Sequence, residues 1–266
     1  MALHAEDVIF NNKSLSDFGF MLCEFDGNGS LNRTSVGSTI DLKTIKIKNN
    51  WKVTSSEYKE AVTFTFSICK RDFSQVSPSE QATINRYFIR KDGYKFLQFI
   101  MKEFEQIYFN VICTDIKAVS VGNIDYGLEL TFISDSPYGY GKEERYIIDV
   151  GGSSMIQKKF IDMSDEVGET YPNLKIEIYQ PSTINIKNDL TKCNFELKNC
   201  VGGEIITVNS ITGDITSSMR GNIVKDFNYN WFSFGNTYDT RSNSLMLTGR
   251  AKVTMFYRQI RKVGVG

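Results

Sequence analysis

The sequence holds a single histidine, His4, among 266 residues. That scarcity removes Ser-His-Asp and Cys-His machinery and every multi-histidine zinc site. A Walker loop, a nucleophile elbow and an EF-hand pattern are also missing. The GxG at Gly27-Asn28-Gly29 is not followed by a helix-like stretch and reads as a hairpin turn. Net charge is absent as well. With 31 Lys plus Arg against 31 Asp plus Glu, the chain has no electrostatic footprint for phosphate, so a stable nucleic-acid partner is not expected. No apolar run approaches the ~20 residues of a membrane span. Met1 to Asp7 lack the basic start and apolar core of a signal peptide, so neither a membrane nor that export route is expected.

Cysteine is sparse and unpatterned. Cys23, Cys69, Cys113, Cys193 and Cys200 are an odd set without CxxC, and Cys69, Cys113 and Cys193 fall in alternating apolar segments as small core residues do. Synthesis in a reducing compartment fits this usage, and the sequons at Asn12, Asn28 and Asn32 then carry no glycan. No cofactor or metal site is expected. Acidic pairs remain as acid and base candidates, Asp162 with Asp165 or Glu166 and Glu143 with Glu144. Spacing in sequence does not bring carboxylates together in space, so solvated loops and edges are the expectation.

What the chain has in abundance is period-two alternation. Val62, Phe64, Phe66 and Ile68 alternate with Thr63, Thr65 and Ser67, which sends apolar side chains to one face of a strand and polar ones to the other. Such strands are antiparallel and half-buried. The pattern recurs at Ile45/Ile47, Leu128/Leu130/Phe132, Leu174/Ile176/Ile178, Cys193/Phe195/Leu197 and Ala251/Val253/Met255/Tyr257. Many short strands between Gly and Asn turns predict sandwiches or barrels.

One segment differs. Ser77-Pro78-Ser79-Glu80 is a capping box with proline at the first helical position, and Ile84, Tyr87 and Phe88 follow at helical spacing. This predicts a helix over about 78–91, ending before Gly93 and covering one sheet of the N-terminal half. Proline and two glycines in Asp135-Ser136-Pro137-Tyr138-Gly139-Tyr140-Gly141 interrupt the strands and mark a junction. The reading is two domains, residues 1–137 with one packed helix and residues 138–266 as an all-β sandwich. The second is expected to fold alone from about residue 142.

Several stretches carry a family resemblance. The opening Val8-Ile9-Phe10-Asn11-Asn12-Lys13-Ser14-Leu15-Ser16-Asp17-Phe18-Gly19 is similar to the first strand and turn of distal tail proteins of long, non-contractile-tailed phages. Leu130-Thr131-Phe132 leading into the junction Asp135, Pro137, Tyr138, Gly139 and Gly141 looks like that family's domain end. Gly168-Glu169-Thr170-Tyr171-Pro172-Asn173-Leu174-Lys175-Ile176 resembles its entry to a C-terminal sandwich. Ile215-Thr216, Trp231-Phe232-Ser233-Phe234-Gly235-Asn236 and Val253-Thr254-Met255-Phe256-Tyr257-Arg258 follow its order of elements. Two features depart from the pattern: the family often has a proline before the glycine at Phe234-Gly235, and Ile45 to Lys59 is individual to this chain.

The resemblance implies a mostly β protein, with an N-terminal sheet or sandwich carrying one helix and a C-terminal galectin-like sandwich. It further implies a homohexameric ring at the virion tail tip, made in the host cytoplasm. That ring joins the tail tube protein to the tail-associated tip protein and carries receptor-binding proteins; a related contractile tail is a close variant. Trp51 and Tyr58 are the candidate subunit-interface residues. Trp51 reads either as part of an arm laid on the adjacent subunit or as a cap on its own sheet edge. Two other classes compete with this reading: a carbohydrate-binding module acting in host cell-wall attachment, with Trp231, Phe232 and Phe234 as a stacking platform, and a two-carboxylate glycoside hydrolase. The alternating pattern around Trp231 favours core, and no enzymatic activity is expected.

Overall fold

The computed structural model describes residues 5–25, 40–58, 61–101 and 106–262; His4 and the Gly27-Asn28-Gly29 turn lie outside them. The chain divides into two compact units, Met1–Gly141 with Arg261–Gly266, and Lys142–Ile260.

The first unit contains β1 (Asp7–Phe10), β2 (Lys13–Ser14), β3 (Phe20–Cys23), β4 (Ile40–Ile47), β5 (Asn50–Tyr58), β6 (Thr63–Lys70), α1 (Pro78–Phe88), β7 (Lys95–Ile100), β8 (Tyr108–Val121) and β9 (Ile124–Ser134). Seven of these strands form an antiparallel sheet in the order β2-β1-β7-β8-β9-β6-β3. Asn11 and Asn12 both adopt positive φ, which suits the tight β1–β2 hairpin turn. Alternation gives the sheet its buried face: Phe64, Phe66 and Ile68 pair across to Phe132, Leu130 and Leu128, and all six are buried. Thr63, Thr65, Thr131 and Ile133 stand on the other face.

Helix α1 covers the buried face. Ser77 caps it, with Ser77 N–H donating to Glu80 Oε2 at 2.8 Å and Glu80 N–H donating back to Ser77 Oγ at 3.3 Å. Ile84 and Phe88 are the residues it buries. Phe88 stacks on Phe10 at 5.1 Å between ring centres and meets Phe132 edge-on at 6.0 Å. The Tyr87 hydroxyl donates to the carbonyls of Phe10 and Asn11 at 2.8 and 3.0 Å, tying the helix to the first hairpin. The helix stops at Phe88, three residues short of the expected 91. Ile89 is already extended, and Arg90 and Lys95 turn to Asp92 instead.

The second unit is built from the outer part of β10 (Gly139–Asp149), β11 (Met155–Ile161), β12 (Gly168–Thr170), β13 (Asn173–Ile178), β14 (Ser182–Asn188), β15 (Asn194–Cys200), β16 (Ile205–Asn209), β17 (Asp214–Ser217), β18 (Phe234–Asn236), β19 (Ser242–Thr248) and β20 (Ala251–Arg261). One sheet runs β17-β16-β13-β20-β10, the other β11-β19-β14-β15, and β12 pairs with β18. Between them lies a second core that includes Ile176, Ile186, Phe195, Leu197, Phe234, Leu247 and Val253. A tight crossing fixes Gly249: its φ is +100°, and a Cβ there would sit 2.6 Å from the Thr183 carbonyl. The edge strand β15 is covered by chain rather than left bare. Asn228 N–H donates to the Glu196 carbonyl, and Asn228 and Asn230 side chains accept from the Glu196 and Asn194 N–H groups.

Two expectations are corrected. Alternation predicts a half-buried strand at Ile45 and Ile47, yet β4 is exposed along its whole length because no second layer covers it among the described residues. The junction does not interrupt the chain through residue 141. The break spans Asp135 to Tyr138, and β10 starts at Gly139, where a Cβ would lie 2.4 Å from Ile107 Cγ2.

Candidate assembly surface

Among the described residues β4 and β5 pair only with each other, as a ribbon of 8 and 9 residues turning at Lys48-Asn49. A lone two-stranded hairpin is marginal in water, so its persistence asks for cover. The side chains offered are large and apolar. Trp51 is 68% exposed, Leu42 59%, Ile40 57% and Val53 50%. Trp51 stands opposite Lys46 near the tip and is not folded back on its own sheet. Tyr58 is half-buried at the root of the ribbon, opposite Ile40, with the Lys262 ammonium 5.9 Å from its ring centre. The two candidate residues therefore sit at opposite ends of β5.

The ribbon's charges are Asp41, Lys43, Lys46, Lys48, Lys52 and Glu57, of which Lys43 and Glu57 form a solvent-exposed pair at 3.8 Å. Such a pair adds little stability.

The junction residues are held locally. Asn110 Nδ2 donates to Asp135 Oδ2 at 2.6 Å, and Tyr138 and Tyr140 meet edge-on at 5.7 Å. Burial pushes the Tyr140 hydroxyl up to about 12.

The platform considered for sugar stacking is taken apart by burial: Phe232 and Phe234 are inside the second core, and Trp231 packs half-buried against it. Three of the acidic candidates have partners of their own, Glu166 through Val167 N–H at 3.1 Å. Glu144 accepts from the Tyr257 hydroxyl at 2.5 Å and from Gln259 Nε2 at 2.8 Å, while buried Asp162 accepts from Ser164 N–H at 2.9 Å. Among the described residues no group of three or more His, Cys, Asp or Glu is arranged to hold a metal ion.

Sequence reasoning missed the Glu204–Arg220–Asp226 network. Glu204 is fully buried and accepts from Arg220 Nε at 2.7 Å, Val201 N–H at 2.9 Å and the Ser217 hydroxyl, while Arg220 Nη1 reaches Asp226 at 2.7 Å. Burial pushes the Glu204 carboxyl up, but the hydrogen bonds from Arg220, Ser217 and Val201 together hold it below its ordinary value. Arg220, Asp226, Asn199, Gly221, Asn222 and Lys225 line an open groove of about 440 Å³. Arg220 commits Nε and Nη1 to the two carboxylates while its Nη2 is buried without a partner among the described residues, so the network is a brace for the loop after β17.

Comparison with known proteins matches both halves. The phage tail protein N-terminal domain family matches residues 3–136, and the phage tail C-terminal domain family matches residues 138–257. No curated protein matches the sequence. The crystal structure of phage SPP1 Dit, described as a paradigm of the hub adsorption apparatus in phages infecting Gram-positive hosts, aligns with a TM-score of 0.65. It is 10% identical, with 95% of this chain and 98% of that one covered. A chain of the phage P2 baseplate in its Ca-activated conformation aligns at 0.57, with 12% identity and 95% and 97% coverage. A chain of the phage p2 baseplate activated with Sr aligns at 0.55, with 12% identity and 94% and 96% coverage. The chain belongs to the phage tail protein family, a virion tail component built on the fold of the Dit hub.

Proposed function

We propose that this protein is a distal tail protein whose six copies close into a ring at the tail tip. The ring joins the tail tube protein to the tail-associated tip protein and anchors receptor-binding proteins, and it works without enzymatic activity. The observation that carries this reading is the β4–β5 ribbon. A heterologous contact, ribbon of one copy on another surface of the next, generates a closed ring when the rotation closes. A chain of zero net charge suits a passage for DNA, since it neither traps nor blocks the genome electrostatically.

Within this reading, residues 1–137 form the ring and residues 138–266, galectin-like in kind, supply the surface for receptor-binding proteins. Asp135, Pro137, Tyr138, Gly139 and Gly141 are the connection between these tasks. Trp51 and Tyr58 belong to the subunit interface. Antibodies against this chain, applied to intact virions of the phage that encodes it, should decorate the tail end distal to the head. Labelling along the tail shaft or at the head would overturn the reading.

A further inference from the structure

We infer that the free edge of β11 takes a further strand, and that its occupant is an extended acidic segment of another protein. The inference concerns the second unit alone and does not rest on the ring reading. Hydrogen bonds across an antiparallel ladder join directly opposed residues, and successive residues of a strand turn their N–H and C=O groups to alternate sides. Between β11 and β19, Gly249 N–H donates to the Ser154 carbonyl at 3.1 Å and Asp162 N–H donates to the Arg241 carbonyl at 3.0 Å. The even-numbered positions from Ser154 to Asp162 therefore bond to β19. Met155, Gln157, Lys159 and Ile161 point the other way, where β11 ends its sheet. The Tyr146 hydroxyl, which donates to the Lys159 carbonyl at 3.0 Å, agrees with this direction. Ser153 Oγ donates to the Met155 carbonyl at 2.8 Å. The N–H groups of all four residues, and the carbonyls of Gln157 and Ile161, have no partner among the described residues.

Native proteins shorten or cover such an edge. Two other edges of the second unit follow that rule: β17 is four residues long, and β15 is covered by Asn228 and Asn230. β11 is seven residues long and bare. Strand addition to an edge of this kind draws affinity from main-chain hydrogen bonds and selectivity from alternate side chains.

The charges at mid-strand select the occupant. Lys158 shares the inner face with Ile156 and Phe160, and Lys159 shares the outer face with Met155 and Ile161. Both lysines are exposed, and neither ammonium has a carboxylate partner among the described residues. A second copy pairing β11 with β11 over its full length would oppose Lys158 to Lys158, and like charges directly opposite are destabilising. A strand with two consecutive carboxylates meets both lysines instead, one on each face. Apolar residues at its two ends then meet Met155 and Ile161, each 55% exposed.

The test uses the full chain and a fluorescein-labelled heptapeptide, Val-Thr-Glu-Glu-Thr-Thr-Val, against the same peptide with Lys-Lys at its centre, read by anisotropy at low salt. The acidic peptide should bind saturably and the Lys-Lys peptide more than about tenfold more weakly. Lys158→Glu combined with Lys159→Glu should reverse that preference. Only alternate peptide N–H groups face β11, so N-methylation in one parity should abolish binding and in the other should change it less than about threefold. Gln157→Pro removes one outward N–H, a change tolerated at a sheet edge, and should weaken binding more than about tenfold, with the melting point as folding control. Where that variant fails to fold, the methylated peptides decide. No saturable binding by the acidic peptide up to about 1 mM, equal binding of the two peptides, equal sensitivity to both methylation parities, or undiminished binding by a folded Gln157→Pro chain overturns the inference. Self-association of the chain that Gln157→Pro abolishes would hand the edge to a second copy and overturn the occupant. The ring reading stands or falls separately, since β11 lies in the second unit.

Discussion

Replacing Arg220 by Met removes the only cation that, among the described residues, is bonded to the fully buried Glu204 carboxylate. Val201 N–H and the Ser217 hydroxyl remain as its donors. Stranding one member of a buried ion pair costs about 3–5 kcal/mol. Arg220 keeps 19% of its side chain exposed and Met retains part of the packing, so the lower end, about 3 kcal/mol, applies. At ~3–5 °C per kcal/mol, between the values for domains of 60–100 and of 150–250 residues, the second unit should melt roughly 10–15 °C lower. The probe is Trp231 fluorescence in a Trp51→Phe background, since the sequence has just two tryptophans and Trp231 packs on the second core. The pH dependence has a definite sign. In the parent, Glu204 is held below its ordinary value, so its contribution is full above the unfolded pKa of about 4.3 and is lost as pH falls through the lower folded value. In Arg220→Met burial dominates and raises the folded value above the unfolded one, so the penalty is full at neutral pH and fades as pH drops toward about 4. The gap between parent and variant therefore narrows on acidification. A loss under about 1 kcal/mol, or a gap that does not change between pH 7 and 4.5, would refute the brace. Adding Glu204→Gln to Arg220→Met should recover part of the loss, because the stranded charge is gone.

Phe132→Ala empties the space between Phe10, Phe66 and Phe88 and should cost the first unit about 3–5 kcal/mol in urea unfolding; a loss under about 1 kcal/mol would mean the rings repack. Gly249→Ala forces a Cβ to within 2.6 Å of a carbonyl at positive φ, so it should lower the second unit's melting point by more than Gly221→Ala, which meets open space. Burial pushes the thiol of Cys113 up to about 12 and that of Cys200 to about 11, so at pH 8 a disulfide reagent should modify the native chain slowly and release the full thiol count only in denaturant.

Much of the fold was legible because burial leaves a period in the sequence. Phe64, Phe66 and Ile68 alternate with threonine and serine because water lies on one side of β6 and a core on the other, and Ser77-Pro78-Ser79-Glu80 announces a helix because its capping groups are local. The same logic misplaced β4. Ile45 and Ile47 alternate with lysines as a core strand would, and alternation cannot tell a face covered by the same chain from one left for another molecule. The β-bulge at Thr54, where the β4–β5 register shifts between Lys43 and Thr44, was illegible for a related reason: Trp51-Lys52-Val53-Thr54-Ser55 has no glycine or proline to mark it, and only the cross-strand register reveals it. The Glu204–Arg220 pair joins β16's approach to the loop after β17, a contact that no short motif encodes.

The central claim, that the chain assembles through its ribbon into a sixfold ring, is tested most directly by measuring the mass and symmetry of the purified protein together. Sedimentation at rising concentration should reach six times 30.3 kDa, about 182 kDa, and particles of that species imaged by electron microscopy should average to closed rings with sixfold symmetry. A species that stays at 30.3 kDa under all conditions, or one whose averages show no ring, would contradict the account.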